Sequence, residues 1–263
     1  MTIARESPAQ KGGAIGDAVA SQAYAFPNAV QLGSLIVIIA MSDGGSAFVA
    51  GDCAKSAGTA TIDTVQLDKD QQNASGQQVG IWSAKVTGAG SLTMTVTPST
   101  SSFLVVTGNA YTGSWDGTRT ESTNGANGTT GTTPSSGNAT SAAAGLFIGG
   151  LAVGNGQAVT LTEDGNWQSI FESLDGTAHE VGESIDRIVS TGTTDDVNWT
   201  ISAAPNSTAA AIVVYRESTS GTVKVMSDTL TLSDQAVSSV ERFIPFGPPS
   251  VIAKIVRRVG VLN

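Results

Sequence analysis

The sequence has very few of the residues from which most catalytic and metal sites are built. It holds one cysteine and one histidine in 263 residues, and charged side chains make up 13% of it. One cysteine cannot form an intrachain disulfide, and one cysteine with one histidine cannot supply four zinc ligands. A catalytic triad would have to use His179, which we interpret as a surface residue, and no Gly-x-Ser-x-Gly turn occurs. We therefore expect no metal, no cofactor and no enzymatic activity.

Long hydrophobic segments and basic clusters are also missing. The longest apolar runs have seven residues, as at positions 35–41, whereas a bilayer span needs about 20. Residues 1–13 carry charges and lack the apolar segment of a secretion signal, so we expect folding in a reducing cytoplasm. The net charge is −9 and Lys and Arg are not clustered, which disfavours nucleic-acid binding. The sequence predicts neither a membrane nor a nucleic-acid partner.

What the sequence does contain is a succession of short strand patterns separated by glycine-rich turns. In residues 91–97 every second residue is apolar, which is typical of a strand with one buried face and one exposed face. Continuous apolar runs predict central strands covered on both faces, and these lie at residues 35–41, 103–106, 146–153 and 211–215. No segment keeps a helical period for three turns. The predicted fold class is all-β, an antiparallel sandwich.

A weak internal duplication sharpens this prediction. Residues 35–45 and 146–156 each combine an apolar strand with a glycine-rich turn, and residues 95–106 are similar to residues 200–215. Two similar halves, each forming a Greek key, would together make a jelly-roll-like β-sandwich. Chance similarity within a chain of low complexity is the alternative interpretation.

The same patterns predict three parts of the chain. The sandwich is expected at residues 18–217, preceded by an extended N-terminal arm at residues 1–17 and followed by an extended C-terminal arm at residues 218–263. Between the two halves, residues 113–145 are rich in Gly, Ser, Thr and Asn and have little apolar surface with which to pack. We expect this segment to be an exposed loop or an arm that contacts another subunit.

The C-terminal arm differs in character from the rest of the chain. From residue 219 on, five Lys or Arg face three Asp or Glu, a balance of +2, which leaves −9 − 2 = −11 on the remainder. An apolar, slightly basic tail on an acidic body predicts docking on another subunit or an acidic protein. The candidate docking residues are Phe243, Ile244, Phe246, Ile252, Lys254, Ile255, Arg257 and Arg258. One more edge strand on the chain's own sandwich is the alternative.

Tryptophans offer a second kind of candidate site. Trp82 and Trp199 lie in strand patterns and are predicted to be core residues. Trp115 and Trp167 lie at turns, where an indole ring could stack on a sugar, as in carbohydrate-binding modules. Packing beneath a loop is the competing interpretation for both.

Reactive polar groups are few, and each has an ordinary structural explanation. Two acidic pairs could in principle hydrolyse glycosides, namely Glu163 with Asp164 and Asp195 with Asp196. Each pair lies in a segment with turn residues, where acids commonly bind backbone amides. Residues 68–70, Asp-Lys-Asp, have part of a calcium-loop pattern but lack its glycine and distal glutamate. Cys53 is expected to be an inert small side chain.

Four segments carry a resemblance to a known family. They are Gly-Ser-Leu-Ile-Val-Ile-Ile at 33–39, Gly-Ala-Gly-Ser-Leu-Thr-Met-Thr-Val-Thr at 88–97, Val-Val-Thr-Gly-Asn-Ala-Tyr-Thr-Gly at 105–113 and Gly-Leu-Phe-Ile-Gly-Gly at 145–150. Together they resemble jelly-roll structural proteins of tailed bacteriophages, which act as capsid decoration (cement) subunits or as tail and fibre components. The third segment departs from the family's Glu-Tyr-Ser-Gly, because Asn109-Ala110 precedes Tyr111-Thr-Gly. The resemblance covers about residues 18–217 and carries over no functional residue.

The resemblance implies a non-enzymatic virion protein, made in the host cytoplasm, that binds the major capsid protein or another virion protein. In the cement case it implies a homotrimer. The alternative that it leaves open is a carbohydrate-binding tail or fibre module, which would recognise a host surface through Trp115 or Trp167.

Overall fold

The structure is a computed structural model of the 263-residue chain. It describes residues 2–115, 118–128, 131–154, 161–163, 166–173, 181–203, 205 and 207–218. The chain divides into two units, Met1–Ser220 and Gly221–Asn263, and the second unit lies outside the described residues. Within the described ranges, no helix is long and apolar enough to cross a bilayer.

The described residues are built almost entirely from antiparallel strands, which confirms the predicted all-β class. The first half contains β1 (Ala4–Arg5), β2 (Gly12–Val19), β3 (Gln22–Ala25), β4 (Leu35–Ser42), β5 (Cys53–Ala57), β6 (Thr61–Ile62), β7 (Gln66–Gln72), β8 (Gln78–Gly88), β9 (Thr93–Val96) and β10 (Ser102–Thr112). A short 3-10 helix, Ala50–Asp52, precedes β5.

The second half continues with the same kind of element. It contains β11 (Thr120–Gly128), β12 (Ala139–Ser141), β13 (Gly145–Gly154), β14 (Leu161–Glu163), β15 (Gln168–Ser173), β16 (Val181–Val189), β17 (Thr193–Asp195), β18 (Trp199–Ile201) and β19 (Ser207–Arg216).

Each half forms its own sandwich of a large and a small sheet. In the first half the large sheet has the order β2-β10-β4-β8-β7, with β1 extending along β10 and β6 along β8, and the small sheet is β3-β9-β5. In the second half the large sheet is β11-β19-β13-β16-β15. Its small layer pairs β14 with β18, and residues 132–136 hydrogen-bond to the other side of β18.

These two strand orders are the same, so the duplication extends to the topology. In the first half β2, β10, β4 and β8 lie side by side, and β3, β9 and β5 form the small sheet. In the second half β11, β19, β13 and β16 lie side by side, and residues 132–136, β18 and β14 form the small layer. This is the order of a jelly roll made of two Greek keys, except that β7 and β15 join the large sheets. The sequence interpretation assigned one Greek key to each half. The strand pairing instead gives each half a jelly-roll order of its own.

The two large sheets pack face to face, which gives four layers and three cores. Alternate residues of β4 point to opposite sides: Leu35, Val37, Ile39 and Met41 meet the large sheet of the second half, whereas Ile36, Ile38 and Ala40 meet the small sheet of the first. A third core lies between the two sheets of the second half. The central strands are therefore apolar on both faces, as their continuous hydrophobic runs predict.

Two predicted boundaries differ from the observed ones. Residues 1–17 were expected to form an arm, yet β1 and β2 pair with β10 and belong to the first large sheet. Residues 113–145 were expected to form a loop or arm, yet they contain β11 and β12, and β11 is the edge strand of the second large sheet. Backbone hydrogen bonds join β1 and β2 to β10, and others join β11 to β19. A glycine-rich or charged composition does not prevent such pairing.

Candidate functional site

A buried polar cluster interrupts the apolar contact between the two large sheets. We call it the Asp186 cluster, and it consists of Arg5, Asn109, Tyr111 and Asp186. Arg5 Nε lies 3.0 Å from both carboxylate oxygens of Asp186, and Arg5 Nη2 donates a further hydrogen bond to Oδ1. Tyr111 Oη donates to Asp186 Oδ2 at 2.6 Å, and Asn109 Nδ2 donates to the same oxygen at 3.3 Å. The cluster links the two halves, since Asp186 lies on β16 and Tyr111 on β10.

The protonation states of this cluster follow from its burial and charges. Burial raises the pKa of Tyr111 well above its usual value, and the nearby charge of Asp186 and the hydrogen bond to it add to the effect. Burial alone would lower the pKa of Arg5, but its hydrogen bond and charge interaction with Asp186 outweigh this, so the pKa of Arg5 is raised. Tyr111 therefore remains a neutral donor and Arg5 remains a cation.

A second cluster occupies the corresponding end of β19. Tyr215 Oη donates to Asp68 Oδ2 at 2.8 Å, and Thr120 Oγ1 donates to Asp68 Oδ1 at 2.6 Å. Burial raises the pKa of Asp68, and its hydrogen bonds and the charge of Arg119 partly offset that rise. Burial and the charge of Asp68 also raise the pKa of Tyr215. This Asp68 cluster again joins the halves, since Asp68 lies on β7.

Arg119, which directly precedes Thr120, completes the second cluster. Its Nη1 donates to Asp63 Oδ2 at 2.9 Å, and its Nε donates to Ser83 Oγ at 2.8 Å. Its Nη2 donates to the backbone oxygens of Thr64 and Ser83. The Arg119 side chain is fully buried, with 0% of it exposed.

The two clusters resemble each other because the repeat places Tyr111 and Tyr215 at the same position. In both halves an arginine precedes the edge strand that lies beside the strand of the tyrosine: Arg5 precedes β2, and Arg119 precedes β11. In both cases the opposite half supplies the carboxylate that binds the arginine. They differ in exposure, since 30% of the Arg5 side chain is accessible whereas none of Arg119 is. In the Asp68 cluster the carboxylate side reaches the surface, since 30% of Asp63 is accessible, whereas in the Asp186 cluster the arginine does.

Where Arg5 reaches the surface, a polar groove of about 460 Å³ lies beside β1, β15 and β16. Arg5 and Arg187 line it together with Asn166, Gln168 and the turn that follows β16. Arg187 forms an ion pair with Asp195 of β17. Of the charged residues in and beside this groove, only Asp195 had been singled out from the sequence.

The two tryptophans that were candidate sugar platforms are buried. Trp115 is 2% exposed and its Nε1 donates to the backbone oxygen of Tyr111 at 3.1 Å. Trp167 is 5% exposed and packs edge-to-face on Phe147, with the ring centroids 6.2 Å apart. Stacking on a sugar needs an accessible ring face, so the geometry favours the packing interpretation for both residues. Trp82 and Trp199 are core residues, as expected.

The acidic residues that suggested chemistry are occupied by structural contacts where the structure describes them. Asp195 pairs with Arg187, and Asp196 Oδ2 accepts a hydrogen bond from Ser135 Oγ at 3.2 Å. Asp70 Oδ1 accepts one from Gln78 Nε2 at 2.9 Å, and Asp68 belongs to its cluster. The Glu163 side chain and Asp164 lie outside the described residues.

Metal and thiol chemistry find no support in the described part of the chain. No group of three or more His, Cys, Asp or Glu side chains is placed there to hold a metal ion. Cys53 is buried, and burial followed by the charge of Asp52 raises the pKa of its thiol to about 12. A thiol with that pKa carries almost no thiolate at neutral pH, so it matches the expected inert side chain. His179 lies outside the described residues.

The predicted docking residues of the C-terminal arm, between Phe243 and Arg258, also lie outside the described residues. They stay a prediction.

The two clusters and the groove were not found from the sequence. The only signal for them was the presence of charged residues within strand patterns, such as Asp186 and Arg187 between the apolar residues Ile185 and Ile188.

Comparison with known proteins identified no relative of this chain. No protein-family model, no curated protein and no solved structure matches this chain.

Proposed function

We propose that this chain is a non-enzymatic structural protein of a virion, and specifically a capsid decoration protein that binds the head lattice through its C-terminal arm. The partner is the major capsid protein or another virion subunit. The proposal extends the resemblance to tailed-phage jelly-roll proteins, and the packing of the body supports it.

The observation that carries the proposal is that the described part of Met1–Ser220 is a densely packed all-β body. Three hydrophobic cores fill the spaces between its four layers, and described residues between positions 3 and 215 contribute to them. The large central strands are covered on both faces within this part of the chain. Such a layered body suits a structural role, and we propose that the apolar residues after position 219 bind the partner.

Charge supports the same assignment. The arm carries +2 and the remainder −11, so the arm can approach an acidic surface that would repel the body. The polar groups buried in the body, in the Asp186 and Asp68 clusters, connect one half to the other. Such connections suit a rigid structural unit.

Removal of residues 219–263 is expected to abolish attachment to particles while leaving the body folded. The midpoint of thermal unfolding, followed by circular dichroism, should change by less than a few degrees, because no described core loses a residue. Occupancy is measured by incubating purified protein with particles that lack it and sedimenting them. A full-length Phe243→Asp/Phe246→Asp variant serves as a matched test, since it keeps the whole chain but places charges at an apolar contact. Undiminished occupancy of the truncated chain contradicts the proposal, and so does loss of its folded structure.

The carbohydrate-binding alternative through Trp115 or Trp167 is not favoured, because both indole rings are buried.

A further inference from the structure

The groove beside the Asp186 cluster has the features of a binding site that the decoration role does not require. Its lining includes two carboxamides, from Asn166 and Gln168, and the hydroxyls of Ser190, Thr191 and Thr193. Its volume of about 460 Å³ falls within the range of small-molecule sites, roughly 300–1,000 Å³.

Both guanidinium groups of the groove are held in place by carboxylates. Asp186 binds Arg5 through two oxygens, and Tyr111 and Asn109 in turn fix the Asp186 carboxylate. Arg187 is fixed by Asp195 through Nη1. A ligand would meet donors whose positions are already set, which lowers the entropy cost of binding.

Each guanidinium also keeps N–H donors that the body does not use. Among the described residues, no hydrogen bond engages Arg5 Nη1, and none engages Nε or Nη2 of Arg187. The two side chains are 30% and 26% exposed, so these donors can face the groove.

The guanidinium of the Asp68 cluster differs from that of Arg5. All three nitrogens of the Arg119 guanidinium donate hydrogen bonds within the body, and the side chain is 0% exposed. The halves are thus also connected there, through Arg119 with Asp63 and Tyr215 with Asp68, by an arginine whose nitrogens are all used. The accessible guanidinium is a property of the Asp186 cluster and not of the repeat.

The chemistry of the lining selects the class of ligand. The charges of Arg5 and Arg187 are balanced by Asp186 and Asp195, and the body as a whole is acidic, so a free anion gains little. Carboxamides and hydroxyls both donate and accept hydrogen bonds, and so do the hydroxyls of a sugar. We propose that this groove binds a neutral saccharide of one or two sugar units through Asn166, Gln168 and the unused N–H groups of Arg5 and Arg187.

The test uses the full chain and a panel of neutral mono- and disaccharides, with binding followed by saturation-transfer NMR and titration. At least one sugar is expected to bind. An Asn166→Ala/Gln168→Ala variant should bind it at least tenfold more weakly, since it lacks two of the hydrogen-bonding side chains. Ser56→Ala, an exposed substitution on β5 of the first small sheet, is the matched control and should leave the affinity unchanged.

The proposal is overturned if no neutral sugar binds, if the double variant retains full affinity, or if sodium acetate or phosphate binds in place of the sugars. The result is independent of the decoration role. The double variant should still attach to particles, and the chain without residues 219–263 should still bind the sugar.

Discussion

Replacement of Asp186 with asparagine is expected to lower the free energy of unfolding by about 3 kcal/mol. Arg5 would lose the charge that balances it, and Tyr111 and Asn109 would lose an acceptor in a buried site. Breaking a buried ion pair costs about 3–5 kcal/mol, and we place this one at the low end because 30% of the Arg5 side chain reaches solvent. Urea denaturation followed by tryptophan fluorescence measures the change.

Asp195→Asn is the matched control for this substitution. It removes the carboxylate from a second arginine pair, but Arg187 and Asp195 are 26% and 19% exposed and can exchange their contact for water. Such a pair contributes about 1 kcal/mol or less. Equal losses for the two variants would show that the Asp186 cluster does not hold the halves together.

Gly150→Val is expected to destabilise the protein by about 3 kcal/mol through overpacking between the two large sheets. A Cβ atom at Gly150 of β13 would lie 2.7 Å from Cγ1 of Val79 and 3.1 Å from Cγ2 of Ile39. Both neighbours are fully buried β-branched residues, so they have little freedom to move aside. The same denaturation experiment reports the loss.

Gly51→Ala provides the control for a glycine in open space. A Cβ atom there meets nothing within 4 Å, so stability should change by about 0.5 kcal/mol or less. If Gly150→Val is as stable as Gly51→Ala, the face-to-face packing of the two large sheets is wrong.

Much of the fold was predictable because its signals are local. Alternation at Leu92, Met94 and Val96 marks a strand with one buried face, and all three side chains are buried in the core between the two sheets of the first half. The apolar run at residues 35–41 predicts a strand covered on both faces, and β4 lies between two cores. The repeat was visible from the same kind of pattern, in the apolar runs at residues 35–41 and 146–153.

Edge strands were missed because little of their surface is buried. In β11 the residues are mostly partly exposed, and its sequence, Thr-Glu-Ser-Thr-Asn-Gly-Ala-Asn-Gly, has no apolar pattern to predict a strand. Its place is fixed by backbone pairing with β19, about 90 residues further along the chain. The composition of such a segment predicts a loop, although backbone hydrogen bonds to a neighbouring strand hold it in a sheet.

The polar clusters were not predictable for a related reason. Tyr111 and Asp186 are 75 residues apart in the chain and meet only because the two halves pack against each other. The turns around Trp115 and Trp167 suggested exposed rings, but both side chains fold back into cores. Residue type and local pattern indicate a turn, and tertiary packing decides which way the side chain points.

The central claim, that this chain is a virion decoration protein, is tested most directly by imaging intact particles with and without it. Cryo-electron microscopy of particles that carry the full chain should show regular extra density on the outer surface of the head. That density should be absent from particles made without the chain and from those made with the chain truncated after residue 218. Density at the tail alone, or particles from which the chain is missing altogether, would contradict the account.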